Sequence, residues 1–267
     1  MSKPAQIVLL TDFGYPEFYT AMMKGVIKSI APESGIMDFF HGIEPQNIGQ
    51  AAFLLVNSYK YFPEGTIFVT VVDPGVGSER KGLIVKAAGR NFIGPDNGCF
   101  TFILEDNTDA EAFVIKNTRI NPGELSNTFH GRDVFAPAAA RLAAGWEISA
   151  IANKAPNESM IVLPEFKRVF KASGITEGIV VMADSYGNLI TNIHKNAFDK
   201  IYDKSLSPAI EISGIIINGL KNTFADANKG DFLAYIGSMG YLEIAVNCGS
   251  AANKLGIGAG SRFSVRN

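Results

Sequence analysis

An α/β domain followed by a smaller, barrel-like all-β domain is the fold class that this 267-residue sequence predicts. The first half alternates short apolar runs with segments of helical period, the texture of βαβ units forming a mostly parallel, helix-covered sheet. The second half is a succession of short strands broken by turns, with almost no helical period. Between them the pattern loosens. An α/β domain is expected over 1–160, a linker over 161–174, where Pro164-Glu165-Phe166-Lys167 stands, and a β domain over 175–267.

Each element has its own signal. Ile7 to Leu10 reads as a buried strand ending at Thr11-Asp12. Phe18, Ala21, Met22, Gly25, Val26, Ser29 and Ile30 recur at helical spacing until Pro32 stops them. Pro45 opens a second helix, with Ile48, Ala51, Ala52, Leu55 and Tyr59 on one face. Thr66 to Val72 is almost continuously β-branched or aromatic, as a strand covered on both faces should be. Gly82 to Ala87 and Arg90 to Ile93 continue the sheet, and an Ala-rich helix follows Asp133 and ends near Gly145. Beyond the linker, strands are expected at Gly178 to Ala183, Leu189 to Ile193, Ala209 to Ile217, Phe232 to Ile236 and Tyr241 to Val246. Asp184 to Asn188 and Ser238-Met239-Gly240 are turns.

Composition narrows the function. Hydrophobic residues make up 47% and charged residues 19%, which places the chain among ordinary globular proteins. Its 24 basic and 26 acidic residues leave a formal charge of −2 with no basic run, so neither nucleic acid nor an anionic membrane is an expected partner. The apolar run at Ile7 to Leu10 is too short for a signal peptide or a membrane span. Cys99 and Cys248 have neither metal-ligand spacing nor a pairing pattern, which points to a reducing cytoplasm.

Ligands of α/β sheets gather at the carboxyl ends of strands. Asp12, in Thr11-Asp12-Phe13-Gly14, stands at such an end, either to cap the following helix or to accept both hydroxyls of a ribose. Asp73-Pro74-Gly75-Val76-Gly77 ends another strand. It reads as a surface turn unless Arg80, seven residues on, folds back against Asp73 and holds the carboxylate in one orientation. Of the three histidines, His41 and His194 read as structural, whereas His130 sits at a loop-to-helix junction from which a side chain can reach a cleft. Three histidines so dispersed give a metal site no support. In the β domain, Asp184, Asn188, Phe224, Ser238 and Asn247 would supply the carboxylate, amides and aromatic face of a small-ligand pocket.

Taken in order, Thr11-Asp12-Phe13-Gly14, Asp73-Pro74-Gly75-Val76-Gly77, Pro95-Asp96-Asn97-Gly98, Thr128-Phe129-His130-Gly131-Arg132-Asp133 and Gly187-Asn188 resemble the S-adenosyl-L-methionine (SAM) hydroxide adenosyltransferase family. Fluorinating and chlorinating enzymes are its relatives. The resemblance implies that a water, activated as hydroxide, attacks ribose C5′ of SAM in line with the departing sulfur. The products would be adenosine and methionine. It implies no metal and no cofactor. It places the catalytic set on Asp73, Arg80 and His130, leaving open which of Asp73 and His130 is the base. It places ribose contacts on Asp12 and on Thr128, Phe129 and Gly131, and the methionine end on Asp184 and Asn188. Phe224, Ser238, Asn247 and Cys248 fall near its adenine and amino-acid contacts. It also implies a homotrimer with sites at subunit interfaces.

Three alternatives are separable. The halogenating relatives carry tyrosine at the place of Asp73 and serine at that of Gly131, and the long loop insertion of the fluorinating type has no counterpart between Arg80 and Asn91. A non-catalytic SAM or adenosine sensor would not need the Asp73, Arg80 and His130 set. A methyltransferase would call for a glycine-rich strand-turn-helix fingerprint near the N-terminus, which is not visible.

Overall fold

Ile7 to Thr11 are buried in β1 (Gln6–Thr11), an apolar strand with a parallel neighbour on each side. In the computed structural model, which describes residues 5–15, 17–116, 120, 125–163, 170–172, 175–201 and 207–266, the chain divides into units Met1–Leu163 and Pro164–Asn267. The chain leaves β1 through α1 (Tyr19–Ile30) to reach β2 (Gly35–Phe40) on one side. It returns through α2 (Ile48–Ser58), capped by Asn47, to β3 (Ile67–Val71) on the other. The two connections depart on opposite sides of β1, so a crevice opens where the carboxyl ends of β1 and β3 lie side by side, Thr11 paired with Val71. Asp12 and Asp73 each follow directly.

The sheet continues with β5 (Arg90–Pro95), parallel to β3, and β4 (Gly82–Ala87), β6 (Glu111–Ile115) and β7 (Ala152–Ala155), each antiparallel to the one before it. Its order is β2-β1-β3-β5-β4-β6-β7, with β4 and β7 alone running against the rest. Ala88 and Gly89, both at positive φ, make the tight turn between β4 and β5. α1 and α4 (Ala136–Ala143) cover one face, packing Met23, Ile27 and Ala139 on Ile7, Leu9 and Val69. α2 and α3 (Thr101–Asp106) cover the other, packing Leu55 and Ile103 on Val8, Leu10 and Phe68. The short α5 (Ile148–Ile151) leads into β7. β2 went unread in the sequence because Asp38 interrupts it and its middle is exposed, so no apolar run marks it.

The second unit is a nearly closed antiparallel barrel. Its strands are β8 (Phe170–Ala172), β9 (Ile175–Ala183), β10 (Leu189–His194), β11 (Ala209–Ile212), β12 (Ile215–Asn218), β13 (Phe232–Ile236), β14 (Tyr241–Val246) and β15 (Arg262–Arg266). The order is β12-β11-β15-β9-β10-β14-β13, with β8 added beside β9. Inward-facing residues such as Val180, Leu189, Ile210, Leu242, Ile244 and Val265 fill it. The single strand expected over Ala209 to Ile217 is instead a hairpin. Ser213 and Gly214, at φ +48° and +78°, fold it back on itself. Two short helices, α6 (Lys195–Ile201) and α7 (Ala251–Leu255), also stand where no helical period is visible.

Within the stretch 161–174, residues 164–169 and 173–174 lie outside the described residues. Ile161 and Leu163 belong to the first unit, their N–H groups donating to Asp96 and Thr101, and β8 pairs with β9. The fold class is the one expected. Among the described residues no helix is long and apolar enough to cross a membrane.

Candidate active site

Asp73 and Arg80 do fold together. Arg80 Nε donates to Asp73 Oδ1 at 2.9 Å, and Arg80 Nη2 donates to Asp73 Oδ2. The second hydrogen of Nη2 reaches His130 Nδ1 at 2.7 Å, across 50 residues of sequence. Arg80 also lies over the ring of the fully buried Phe135, its Cζ 5.2 Å from the centroid. The carboxylate and guanidinium side chains are 6% and 9% exposed, so the pair sits largely out of water and its geometry is fixed.

Two local devices bring these segments together. Val76 N–H and Ser78 N–H close successive turns onto Asp73 and Gly75 carbonyls, reversing the chain within a few residues. Gly77 sits at φ +79°, and a Cβ there would collide with the Asn127 carbonyl oxygen. The loop after β3 thus packs directly on the loop that leads to His130. In the second device, Asn97 Nδ2 donates to the Val72 carbonyl at 2.8 Å, pinning the end of β3 beside Asp73. At the other segment, Arg132 and Asp133 N–H groups both bond the Phe129 carbonyl, and a single π-turn, Gly131–Phe135, opens α4. Asp133 accepts from Arg132 and from Ser126 N–H, which ties the loop down.

Because an arginine has only donors, His130 Nδ1 accepts, and a neutral His130 carries its proton on Nε2. Burial, and then the Arg80 charge, hold this imidazole below the ordinary histidine range.

A cleft of about 350 Å³ opens at this point, lined by Asp12, Asp73, Thr128, Phe129, His130 and Gly131, with Gln46 at its edge. Asp12 does not cap α1, whose N-cap is Phe18. Its Oδ2 instead accepts from Gln46 N–H at 2.9 Å. Burial raises the Asp12 carboxyl, opposed by that bond, and Asp73 adds to the rise. Phe129 stands edge-on to Phe13 and Tyr19, forming an aromatic wall. His41 and His194 are structural, as expected. His41 bridges Thr11 and Asp38, while His194 packs on Tyr241 and accepts from Asn196 N–H.

All six residues singled out in the second unit, Asp184, Asn188, Phe224, Ser238, Asn247 and Cys248, line one cavity of about 780 Å³ there. Asp184 Oδ1 accepts from Tyr186 and Asn188 N–H, and Oδ2 accepts from Asn188 Nδ2. Tyr235 and Glu243 also line it, and the sequence reading passed over both. A single carboxylate inside the apolar run Tyr241 to Val246 is the signal that could have found Glu243. Gln46, at φ +67°, was missed too, since nothing in a lone glutamine marks a left-handed backbone. Among the described residues no group of three or more His, Cys, Asp or Glu could hold a metal ion.

Family models for the SAM hydroxide adenosyltransferase N-terminal domain and C-terminal domain match residues 7–152 and 178–264. The chain belongs to the SAM hydroxide adenosyltransferase family. A relative from Thermus thermophilus named (R)-S-adenosyl-L-methionine hydrolase is 36% identical, covering 95% of this chain and 96% of its own. One of the same name from Methanocaldococcus jannaschii is 32% identical over 94% and 92%. A fluorinase from an Actinoplanes species is 29% identical over 97% and 96%. Among solved structures, an uncharacterized conserved protein from Thermotoga maritima superposes with a TM-score of 0.88 at 34% identity, covering 98% of this chain and all of that one. As a member of this family, the chain is an enzyme acting on an adenosyl sulfonium, and its relatives are named for two different nucleophiles.

Proposed function

We propose that the enzyme hydrolyses SAM at ribose C5′, releasing adenosine and L-methionine. One observation carries this reading. Asp73, Arg80 and His130, drawn from segments 50 residues apart, are hydrogen-bonded into one unit, and Asp73 and His130 line a cleft together with Asp12. A sulfonium is already a good leaving group, so what remains is to align a poor nucleophile and strip it of solvent.

In the proposed step, the Nε2–H of His130 holds the water in place. The lone pairs of Asp73 not used by Arg80 receive its proton as oxygen bonds to C5′. The C5′–S bond breaks with its electron pair going to sulfur, which leaves as the neutral thioether of methionine. The proton passes on to solvent. Asp12 takes the ribose hydroxyls, with Thr128, Phe129 and Gly131 around the sugar. Asp184 and Asn188 hold the methionine end, and Phe224, Ser238, Asn247 and Cys248 complete the adenine and amino-acid contacts. No metal or cofactor takes part, and a chelator should leave the rate unchanged.

Halide as the nucleophile is disfavoured. The carboxylate of Asp73 repels an anion at the attacking position. A glycine stands at 131, so no hydroxyl is present there to hold a halide, and a Cβ would come to 3.2 Å from both Met23 Sδ and Phe129 Cε2. We further propose a homotrimer in which each active site combines the first-unit cleft of one subunit with the second-unit pocket of a neighbour. Activity would then track a particle three times the chain mass in light scattering. Unpaired Cys99 and Cys248 support a reducing, cytoplasmic setting.

Chromatography of the products tests the reaction. Adenosine with methionine is expected. 5′-Chloro-5′-deoxyadenosine in excess chloride, S-adenosylhomocysteine, or no product would each overturn it.

A further inference from the structure

His41 is 2% exposed and does not line the cleft, yet it is bonded to the turn that carries Asp12. Its position depends on an irregularity in β2. The register between β1 and β2 steps from Leu9↔Asp38 to Leu10↔Phe40, so Phe39 is an extra residue on β2. In an unbroken strand Asp38 and His41, three residues apart, would point to opposite faces. The bulge brings them to one side, where His41 Nε2 meets Asp38 Oδ1 at 2.9 Å, and it sets the ring beside Thr11.

The hydrogen bonds from there run in one direction. Lys24 Nζ donates to Asp38 Oδ2 at 2.7 Å. Burial would raise this carboxyl, but Lys24 and then His41 hold it below the ordinary carboxylate range. A carboxylate only accepts, so His41 Nε2 donates, and Nδ1 of the neutral ring accepts from the Thr11 hydroxyl at 2.9 Å. The oxygen of that hydroxyl accepts in turn from Phe13 N–H at 3.3 Å. The His41 carbonyl accepts from Gly14 N–H at 2.8 Å, and its ring stands edge-on to Tyr15. Asp12 therefore lies between residues that His41 holds on both sides, while Gln46 N–H fixes one of its carboxylate oxygens.

We propose that His41, oriented by Asp38, is a positioning residue for the reaction: through Thr11 it holds the turn at Asp12 in the orientation that receives the ribose hydroxyls, and so sets substrate affinity without touching the substrate. The inference rests on the proposed function, in which Asp12 binds those hydroxyls. Its magnitude is that of one buried hydrogen bond in a connected chain, a roughly three- to tenfold change in affinity.

The test measures kcat and KM for SAM in the full-length enzyme, and by calorimetric titration the Kd of adenosine and of 2′,3′-dideoxyadenosine, which offers Asp12 no hydroxyl. Thr11→Val and His41→Leu cut the bond from its two ends, and Thr11→Ser puts the hydroxyl back. Both cutting variants should raise KM for SAM and Kd for adenosine about three- to tenfold, with kcat moving less. Kd for the dideoxynucleoside should not move, and adding either substitution to Asp12→Ala should raise KM no further. Thr11→Ser should recover most of the loss. Thr11→Val nearly keeps the side-chain shape, so it decides the matter should His41→Leu fail to fold. Parental KM and Kd in Thr11→Val, an equal rise for both nucleosides, or an additive effect on Asp12→Ala overturns the proposal while leaving hydrolysis of SAM standing. If Asp12→Ala itself leaves KM for SAM unmoved, the assignment of Asp12 to the ribose falls, and the proposal with it. If SAM yields no adenosine, the functional reading falls, while the titrations still decide the role of His41.

Discussion

Arg80 Nη2 donates to His130 Nδ1 at 2.7 Å while the same guanidinium grips Asp73 through two of its N–H groups. The contact occupies the imidazole lone pair on Nδ1, so a neutral His130 carries its hydrogen on the other ring nitrogen. In the proposed step His130 is accordingly the orienting donor and Asp73 the acceptor.

Turnover should consequently depend on a neutral His130. Burial and Arg80 hold its pKa below the free value of about 6.5. The sign follows: a depressed histidine contributes stability and function above its unfolded pKa, and both are lost as pH falls through the folded one. The pH profile of kcat/KM should show an acid limb below about 6.5 that is absent from residual His130→Asn activity. An acid limb centred above that value would contradict the assignment.

Arg80→Lys should lower kcat by roughly 10²- to 10³-fold with little change in KM. A single ammonium cannot hold both Asp73 oxygens and His130 Nδ1 together. Steady-state kinetics decide this, and near-parental turnover would mean that the three-residue unit is not what the reaction uses.

Much of this site was legible in the sequence, and the reasons differ by element. Asp12 and Asp73 were found because strand ends announce themselves, an apolar run stopping at a polar residue. The pairing of Asp73 with Arg80 was inferable because a turn signal separates them by only seven residues. The contact to His130 was not, since no local pattern reports a partner 50 residues away. Gln46 escaped for a related reason, since its left-handed backbone is not marked by local period or composition.

Gly77→Ala tests how the two loops are joined. The substitution puts a side chain at φ +79° and against the Asn127 carbonyl. A loss of about 1 kcal/mol or more is expected, visible as a lower Tm, together with reduced turnover from displacement of Asp73 relative to His130. Unchanged stability and rate would show that the close approach is not required.

Asp12→Ala should raise KM for the adenosyl substrate on the order of tenfold or more while kcat changes less, because the residue is assigned to binding the ribose and not to the proton. Equal loss in both parameters would move Asp12 into the chemical step.

Asp73→Ala and His130→Ala should each still bind SAM in a calorimetric titration while losing most turnover. Parental rates in both would remove the proposed mechanism outright.

The nucleophile itself is the central claim, and isotopic water addresses it most directly. Incubated with SAM in oxygen-18 water, the enzyme should give adenosine carrying the label on its 5′-oxygen, with unlabelled methionine. Adenosine without label, or a 5′-halogenated nucleoside in its place, would contradict attack by water at C5′.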